Sequence, residues 1–165
     1  MYKYLAIALL LGGLVACNAP QGAKELPAAA ANPATADLQP PFPMDETKMK
    51  TYPSGLKIQI IQEGIGEPPK SGQTVVAKYH GMLNDSTVFD SSYNREKAGQ
   101  EGTFKFALDK GQVIPAWDEG FSHLKIGSKA ILVCPPDIAY GERGSGSIPP
   151  NSTLYFHVEL VNITN

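Results

Sequence analysis

One segment, residues 110–121 (Lys-Gly-Gln-Val-Ile-Pro-Ala-Trp-Asp-Glu-Gly-Phe), constrains the fold of this chain more than any other. Pro115 suits the first position of a helix, where its missing N–H would have no partner, and it forces Ile114 into an extended conformation. The N–H of Ile114 can then point into a cavity floored by Trp117. The segment therefore predicts an apolar pocket with one oriented donor, although alone it more often marks a core helix that buries a tryptophan.

The first 16 residues have the pattern of a secretory signal peptide. Lys3 supplies a positive charge, and the apolar run at residues 5–15 is too short to span a bilayer as a mature helix. It ends in Leu-Val-Ala-Cys, which resembles a bacterial lipobox and implies that Cys17 becomes a lipidated N-terminus. The alternative is an ordinary signal peptide with an incidental cysteine. A disulfide is disfavoured, because Cys134, interpreted as a small core residue, is the only other cysteine.

Residues 17–51 are predicted to be the lipidated cysteine followed by a disordered tether. Ala, Pro, Gln, Asn and Thr dominate here, and such a composition cannot bury enough apolar surface to offset the entropy of the chain. A flexible coil of this length spans about 30 Å. We expect acyl chains such as palmitate to hold the protein in the bacterial cell envelope, with its domain in the periplasm. Asn18 rather than Asp after the cysteine favours the outer over the inner membrane.

The remaining residues, 52–165, are predicted to form one α+β domain. Period-two alternation predicts a strand with Leu56, Ile58 and Ile60 on its buried face, and further strands at 74–83, 88–90, 103–108, 129–134 and 153–161. Residues 91–102 and 138–150 are predicted loops. Several strands at short spacing with one brief helix predict a twisted antiparallel sheet curved around that helix. Its inward face carries Tyr79, Phe89, Phe104, Phe106, Trp117 and Phe156.

The usual enzymatic constellations are absent from the sequence. His80, His123 and His157 lack metal-ligand spacing, and the Gly-Ser-Gly around Ser145 sits in a loop rather than between a strand and a helix. The net charge of −2 gives no basic surface for nucleic acid. We therefore predict no metal, no cofactor and no covalent or phosphoryl chemistry.

Six motifs in order give the chain a family resemblance. They lie at residues 75–83 (VVAKYHGML), 89–92 (FDSS), 104–106 (FKF), 113–120 (VIPAWDEG), 139–141 (AYG) and 148–160 (IPPNSTLYFHVEL). Over residues 52–163 the chain resembles FKBP-type peptidyl-prolyl cis–trans isomerases. The resemblance implies a sheet curved around one short helix, which agrees with the strand pattern.

The resemblance also implies a substrate and a site. The substrates would be proline-containing unfolded or exported polypeptides, and macrolides such as tacrolimus would compete for the same pocket. The residues that it assigns to catalysis are Asp90, Tyr79, Tyr140 and Ile114, and those that it assigns to substrate binding are Trp117, Phe89, Phe104, Val113, Ile148 and Phe156. Trp117 would lie beneath the proline ring, and the Ile114 N–H and Tyr140 hydroxyl would bind ligand carbonyls. Asp90 would hydrogen-bond Tyr79 beside the twisting amide.

The sequence departs from the family pattern in two loops. The loop at 94–102 is longer than in compact members, and the segment 142–147 lacks the histidine of some members and has Ser147 at an often apolar position. Reach to protein substrates, substrate preference and macrolide affinity depend on these loops.

The main alternative to an isomerase is a chaperone or binding module that holds clients with little isomerase activity. A solute-binding lipoprotein would need a larger, two-lobed chain.

Overall fold

The computed structural model describes residues 38–97, 99 and 102–165. Within them, seven strands form one antiparallel sheet in the order β1-β2-β6-β7-β3-β4, with β5 beside β4 on the same edge of β3. The strands are β1 (Lys50–Thr51), β2 (Lys57–Gln62), β3 (Thr74–Met82), β4 (Val88–Ser91), β5 (Phe104–Ala107), β6 (Lys129–Cys134) and β7 (Leu154–Thr164). The helices are α1 (Ser92–Lys97) and α2 (Pro115–Phe121), with 3-10 turns at Glu46–Lys48, Pro136–Ile138 and Gly141–Arg143.

The inner face of the sheet packs on α2 and forms the main core. Alternate residues of β3 (Val75, Ala77, Tyr79) and of β7 (Leu154, Phe156, Val158, Leu160) are buried there, as the period of two predicts. An antiparallel sheet around one short central helix is the predicted fold class, and it is confirmed.

Close contact between α2 and the sheet depends on a glycine. A Cβ on Gly120 would lie 2.8 Å from Leu132 Cδ1, so the helix approaches β6 only because this position has no side chain. Ile114 is the N-cap, with extended backbone angles, and Pro115 is the first helical residue, as the sequence predicts. The cavity-forming residues at the start of α2 are therefore held by the core beneath the helix.

The predicted loop at 91–102 contains a second helix, α1. Ser92 and Tyr93 are buried, and Ser92 Oγ accepts from the Tyr79 N–H at 2.8 Å. The short helix has few apolar residues, so hydrophobic periodicity gave no signal for it. Its place against β3 comes from a side chain that bonds the backbone of a distant strand.

The predicted boundary at residue 52 is too late. Phe42 is 3% exposed and packs on Ile131 and Val133 of β6, and β1 lies inside the segment predicted as tether. The outer face of β6 is thus covered, which explains why every residue of that strand is buried. The predicted signal peptide, Cys17 and the predicted tether up to residue 37 lie outside the described residues.

The face prediction for β2 holds for Leu56 and Ile58 and is wrong for Ile60. Ile60 is 38% exposed and lies next to the point where the pairing of β2 with β6 shifts register, between Ile60 and Gln62. Gln59 is buried on the other face, where its side chain binds the backbone of Asp45 and Pro43. Among the residues that the structure describes, no helix is long and apolar enough to cross a membrane.

Candidate active site

A cavity of about 230 Å³ opens between the start of α2 and the inner face of the sheet. It is lined by Tyr79, Phe89, Asp90, Phe104, Gln112, Val113, Ile114, Trp117, Tyr140 and Phe156. The structure thus brings together every residue predicted for the site except Ile148. Ile148 is buried in the neighbouring core and does not line this cavity.

Trp117 forms the floor, held by a cage of aromatic rings. It is 5% exposed, and its ring centroid lies 5.1 Å from that of Tyr79 and 5.2 Å from that of Phe156, both edge-to-face. Phe104, Phe106 and Phe121 complete the cage at 5.3–5.9 Å. Each such pair adds about 0.5–1.5 kcal/mol beyond the burial of area, so the floor is rigid. The buried indole N–H has no hydrogen-bond partner among the described residues.

Ile114 supplies a backbone donor at the cavity wall. Its carbonyl accepts from the Trp117 N–H at 2.9 Å, which ties the backbone of Ile114 to the helical turn that carries the floor. Within the described part of the chain, the Ile114 N–H itself has no acceptor. The cavity therefore joins an apolar floor to one preset donor, as the Ile-Pro sequence predicts.

The opposite wall carries a polar triad of Tyr79, Asp90 and Arg95. The Tyr79 hydroxyl donates to Asp90 Oδ2 at 2.5 Å, and Arg95 Nη2 donates to the same hydroxyl. Arg95 also lies 3.7 Å from Asp90 Oδ1, with its guanidinium 5.3 Å from the centre of the Tyr79 ring. The triad fixes the Asp90 carboxylate beside the cavity.

The titratable hydroxyls of the site are hydrogen-bond donors rather than bases at neutral pH. Burial, followed by the hydrogen bond to Asp90, raises the pKa of Tyr79. Burial, followed by the charge of Asp90, raises the pKa of Tyr140. Both hydroxyls therefore stay protonated at neutral pH. The Cys134 thiol lies in the core, where burial raises its pKa, so it offers no thiolate nucleophile.

Sequence reasoning missed two residues of the site, Arg95 and Gln112. Arg95 stands in a polar stretch predicted as loop, and only the docking of α1 brings it to Tyr79. Gln112 lies inside the segment that predicts the cavity, and its Oε1 accepts from the Ala107 N–H at 2.9 Å, tying β5 to the cavity wall. A polar residue beside Val113 and Ile114 was the available signal for it.

The cavity also requires a bare backbone at Gly81 on β3. A Cβ there would lie 2.6 Å from Phe89 Cζ and 3.0 Å from Phe156 Cε1, and both of these rings line the cavity. Glycine therefore lets the two rings meet edge-to-face at 5.5 Å over the strand.

A larger cleft, of about 560 Å³, lies between the turn at Asn84 and Asp85 and the start of β7. Amides and hydroxyls of Asn151, Ser152 and Thr153 form much of its lining, together with Tyr155 and Leu83. It has no apolar floor for a ring. We therefore take the smaller aromatic cavity as the functional site.

Comparison with known proteins identifies one family. The family model for "FKBP-type peptidyl-prolyl cis-trans isomerase" matches residues 66–161. The chain is 50% identical over 111 residues to peptidyl-prolyl cis-trans isomerase Fkbp12 of Drosophila melanogaster, covering 66% of this chain and 98% of that protein. It is 46% identical over 118 residues to FKBP-type peptidyl-prolyl cis-trans isomerase FkpA of Escherichia coli K12, covering 72% of this chain and 41% of that protein.

Solved structures agree with the sequence matches. The crystal structure of FkpA from Escherichia coli matches with a TM-score of 0.64 at 46% identity, covering 71% of this chain and 52% of that one. The crystal structure of AtFKBP13 matches with a TM-score of 0.63 at 36% identity, covering 69% of this chain and 97% of that one. This chain thus spans nearly the whole length of the compact relatives and about half or less of FkpA.

Proposed function

This chain belongs to the FKBP-type peptidyl-prolyl cis–trans isomerase family and is an isomerase of that type, and we propose that it acts without covalent chemistry, by favouring the twisted form of an X–Pro amide in the aromatic cavity. The observation that carries this proposal is the cavity itself: an apolar floor at Trp117 beside the preset N–H of Ile114.

The physics of the X–Pro bond explains why such a cavity is sufficient. Amide resonance opposes rotation with a barrier of about 18–20 kcal/mol, so uncatalysed isomerisation takes tens of seconds or more. The planar amide is charge-separated and better solvated by water than the twisted form is. A dry cavity therefore favours the twisted form, and each tenfold acceleration needs only about 1.4 kcal/mol of such differential stabilisation.

The residues that line the cavity have different roles in stabilising the twisted amide. The proline ring rests on Trp117, between Phe104 and Phe156, which anchors one side of the bond. The Ile114 N–H and the Tyr140 hydroxyl bind substrate carbonyls, and Tyr140 is exposed enough to reach a bound chain. Asp90, held by Tyr79 and Arg95, lies beside the rotating amide. Because no proton is transferred, no member of this set needs to act as a base.

The family binds proline-containing substrates, and it also binds macrolides of the tacrolimus type. We propose that the substrates of this chain are exported polypeptides.

A protease-coupled assay tests the isomerase mechanism. We expect the full chain to accelerate cis-to-trans conversion of a short Leu-Pro peptide, with nearly equal kcat/KM in H2O and D2O, because rotation transfers no proton. A rate lower in D2O by about twofold or more would indicate general acid–base catalysis instead. A folded chain that gives no acceleration, yet suppresses aggregation of an unfolded client, would support the chaperone alternative.

We further propose that the domain is tethered to a bacterial membrane through lipid on Cys17, in the periplasm and preferably at the outer membrane. The support is the lipobox-like sequence at residues 14–17 after an apolar run. Two or more acyl chains hold a protein on a bilayer stably, whereas one does so only marginally.

Labelling with palmitate in a bacterial host tests the anchor. We expect the wild-type chain to incorporate label and sediment with outer-membrane fractions, and Cys17→Ser to do neither. Cys134→Ser is the matched control, since the lipobox pattern surrounds only Cys17, and it should remain labelled. Label that persists in the Cys17 variant would overturn the proposed site of attachment.

A further inference from the structure

Residues 38–49, here called the strap, lie across the outer face of the sheet, opposite the cavity. Side chains of the sheet bind the strap mainly through its backbone. His157 Nδ1 accepts from the Phe42 N–H at 2.8 Å, Lys129 Nζ donates to the Leu38 carbonyl at 2.9 Å, and Gln59 Oε1 accepts from the Asp45 N–H at 2.8 Å. The Phe42 ring is the main apolar anchor, against Ile131 and Val133.

His157 is the central contact of the strap. It is 3% exposed, and its ring meets that of Phe42 edge-to-face at 5.4 Å. An imidazole can accept at Nδ1 only while that nitrogen carries no proton. A protonated His157 would turn an N–H toward the Phe42 N–H, which replaces a hydrogen bond with a repulsion between two donors. The docked strap therefore requires neutral His157.

The surroundings of His157 resist a positive charge. On β3, His80 faces it with ring centroids 6.4 Å apart, and His80 Nδ1 lies 3.0 Å from Ser91 Oγ. On β6, the register neighbour of His157 is the apolar Ile131, and the next outer-face pair is Lys129 with Glu159, whose carboxylate accepts from the Tyr93 hydroxyl. From α1, the charge of Lys97 acts on His80. Burial, followed by His80, lowers the pKa of His157 to about 4.

We propose that the strap is an acid-released latch: neutral His157 holds residues 38–49 on the sheet, and protonation of His157 releases them. Release would uncover Phe42 together with the outer-face side chains of Ile131 and Val133, all now at most 9% exposed. The catalytic cavity lies on the other face of the sheet, so the latch changes a surface and the reach of the N-terminal chain, not the active site.

The direction of strap release and its pH range follow from the difference in the pKa of His157 between the docked and the released state. The docked state holds His157 near a pKa of about 4, whereas a fully solvated histidine titrates near its ordinary 6.5, which is the upper limit for His157 after release because His80 still faces it. Docking is therefore fully supported above about pH 6.5 and weakens by up to roughly tenfold per pH unit as the pH falls toward 4. Asp45, whose pKa is held below its ordinary value by hydrogen bonds from Thr47, stays ionised over most of this range.

Hydrogen–deuterium exchange at the Phe42 amide measures the latch directly, because that N–H is the donor to His157. In the full chain, we expect its protection, corrected for the intrinsic pH dependence of exchange, to fall by up to roughly 40-fold from pH 6.5 to 4.5. Amides of β3 and β7 should keep their protection, which distinguishes release of the strap from global unfolding. Protection of the Phe42 amide that stays constant with pH would overturn the proposal.

Two variants test which histidine is responsible for the pH-dependent fall in protection. In His157→Asn the amide oxygen replaces Nδ1 as an acceptor without titrating, so the protection should change by less than about threefold over the same range. His80→Asn keeps a polar group beside Ser91 and removes the neighbouring imidazole, so the pH-dependent fall should remain and move to higher pH. A fall that persists in His157→Asn, or that disappears in His80→Asn, would assign the effect to another group and overturn the latch.

Discussion

Trp117→Ala is expected to lower kcat/KM for a Leu-Pro peptide by roughly ten- to hundredfold and the free energy of unfolding by about 3–5 kcal/mol. The stability loss is typical of deleting a buried aromatic side chain, and Trp117 is 5% exposed at the centre of five aromatic rings. The activity loss follows because the proline ring loses its apolar floor, and burying a ring of that size contributes about 1.5–3 kcal/mol.

Leu124→Ala is the matched control for this change. Leu124 is fully buried in the same core but does not line the cavity. Its truncation should cost a similar 2–5 kcal/mol in the free energy of unfolding. Urea denaturation measures both losses, and the isomerase assay at low temperature, where both variants stay folded, separates them. Equal loss of activity in the two variants would mean that Trp117 acts only through stability.

Asp90→Ala should lower kcat/KM by about tenfold, with a much smaller loss of stability than in Trp117→Ala. The substitution removes the acceptor of the Tyr79 hydroxyl and the ion-pair partner of the Arg95 guanidinium, and a hydrogen bond to a charged group contributes about 1.5–3 kcal/mol. The side chain of Asp90 is 50% exposed, so we place the effect at the lower end of that range.

Asp90→Asn separates the contribution of the carboxylate as a hydrogen-bond acceptor from the contribution of its charge. The amide keeps an acceptor for the Tyr79 hydroxyl and loses the charge that attracts Arg95, so its kcat/KM should lie between those of wild type and Asp90→Ala. Asp85→Asn, in the exposed turn after β3, is a charge-matched control that should leave kcat/KM unchanged. If Asp90→Ala were as active as the wild type, the triad would have no part in catalysis.

The parts of this molecule that the sequence predicted correctly are those coded by local patterns. Alternation in β3 and β7 comes from a period of two, and the start of α2 comes from the stereochemistry of Pro115. Local patterns also placed Trp117 and Ile114 at one cavity, since Ile114 stands only three positions before Trp117, about one turn of helix away. The remaining wall residues came from the resemblance to a family.

The features that the sequence did not predict depend on contacts between distant residues. Arg95 reaches the Tyr79 hydroxyl only because Ser92 docks α1 on β3. The strap is ordered by His157, which lies 115 residues away from Phe42 in the chain, and its Pro-rich composition alone indicates a tether. Ile60 is exposed beside a register shift that no single-strand pattern shows. Ile148 follows the family motif, yet its side chain packs into the core.

One titration tests most directly the claim that X–Pro rotation occurs in the aromatic cavity. Tacrolimus is added to the full chain while the same samples report isomerase rate and the fluorescence of Trp117, the only tryptophan of the sequence. We expect both signals to change with one half-saturation concentration and the rate to fall to the uncatalysed value. Acceleration that persists after the Trp117 signal saturates, or inhibition with no change in that signal, would contradict that claim.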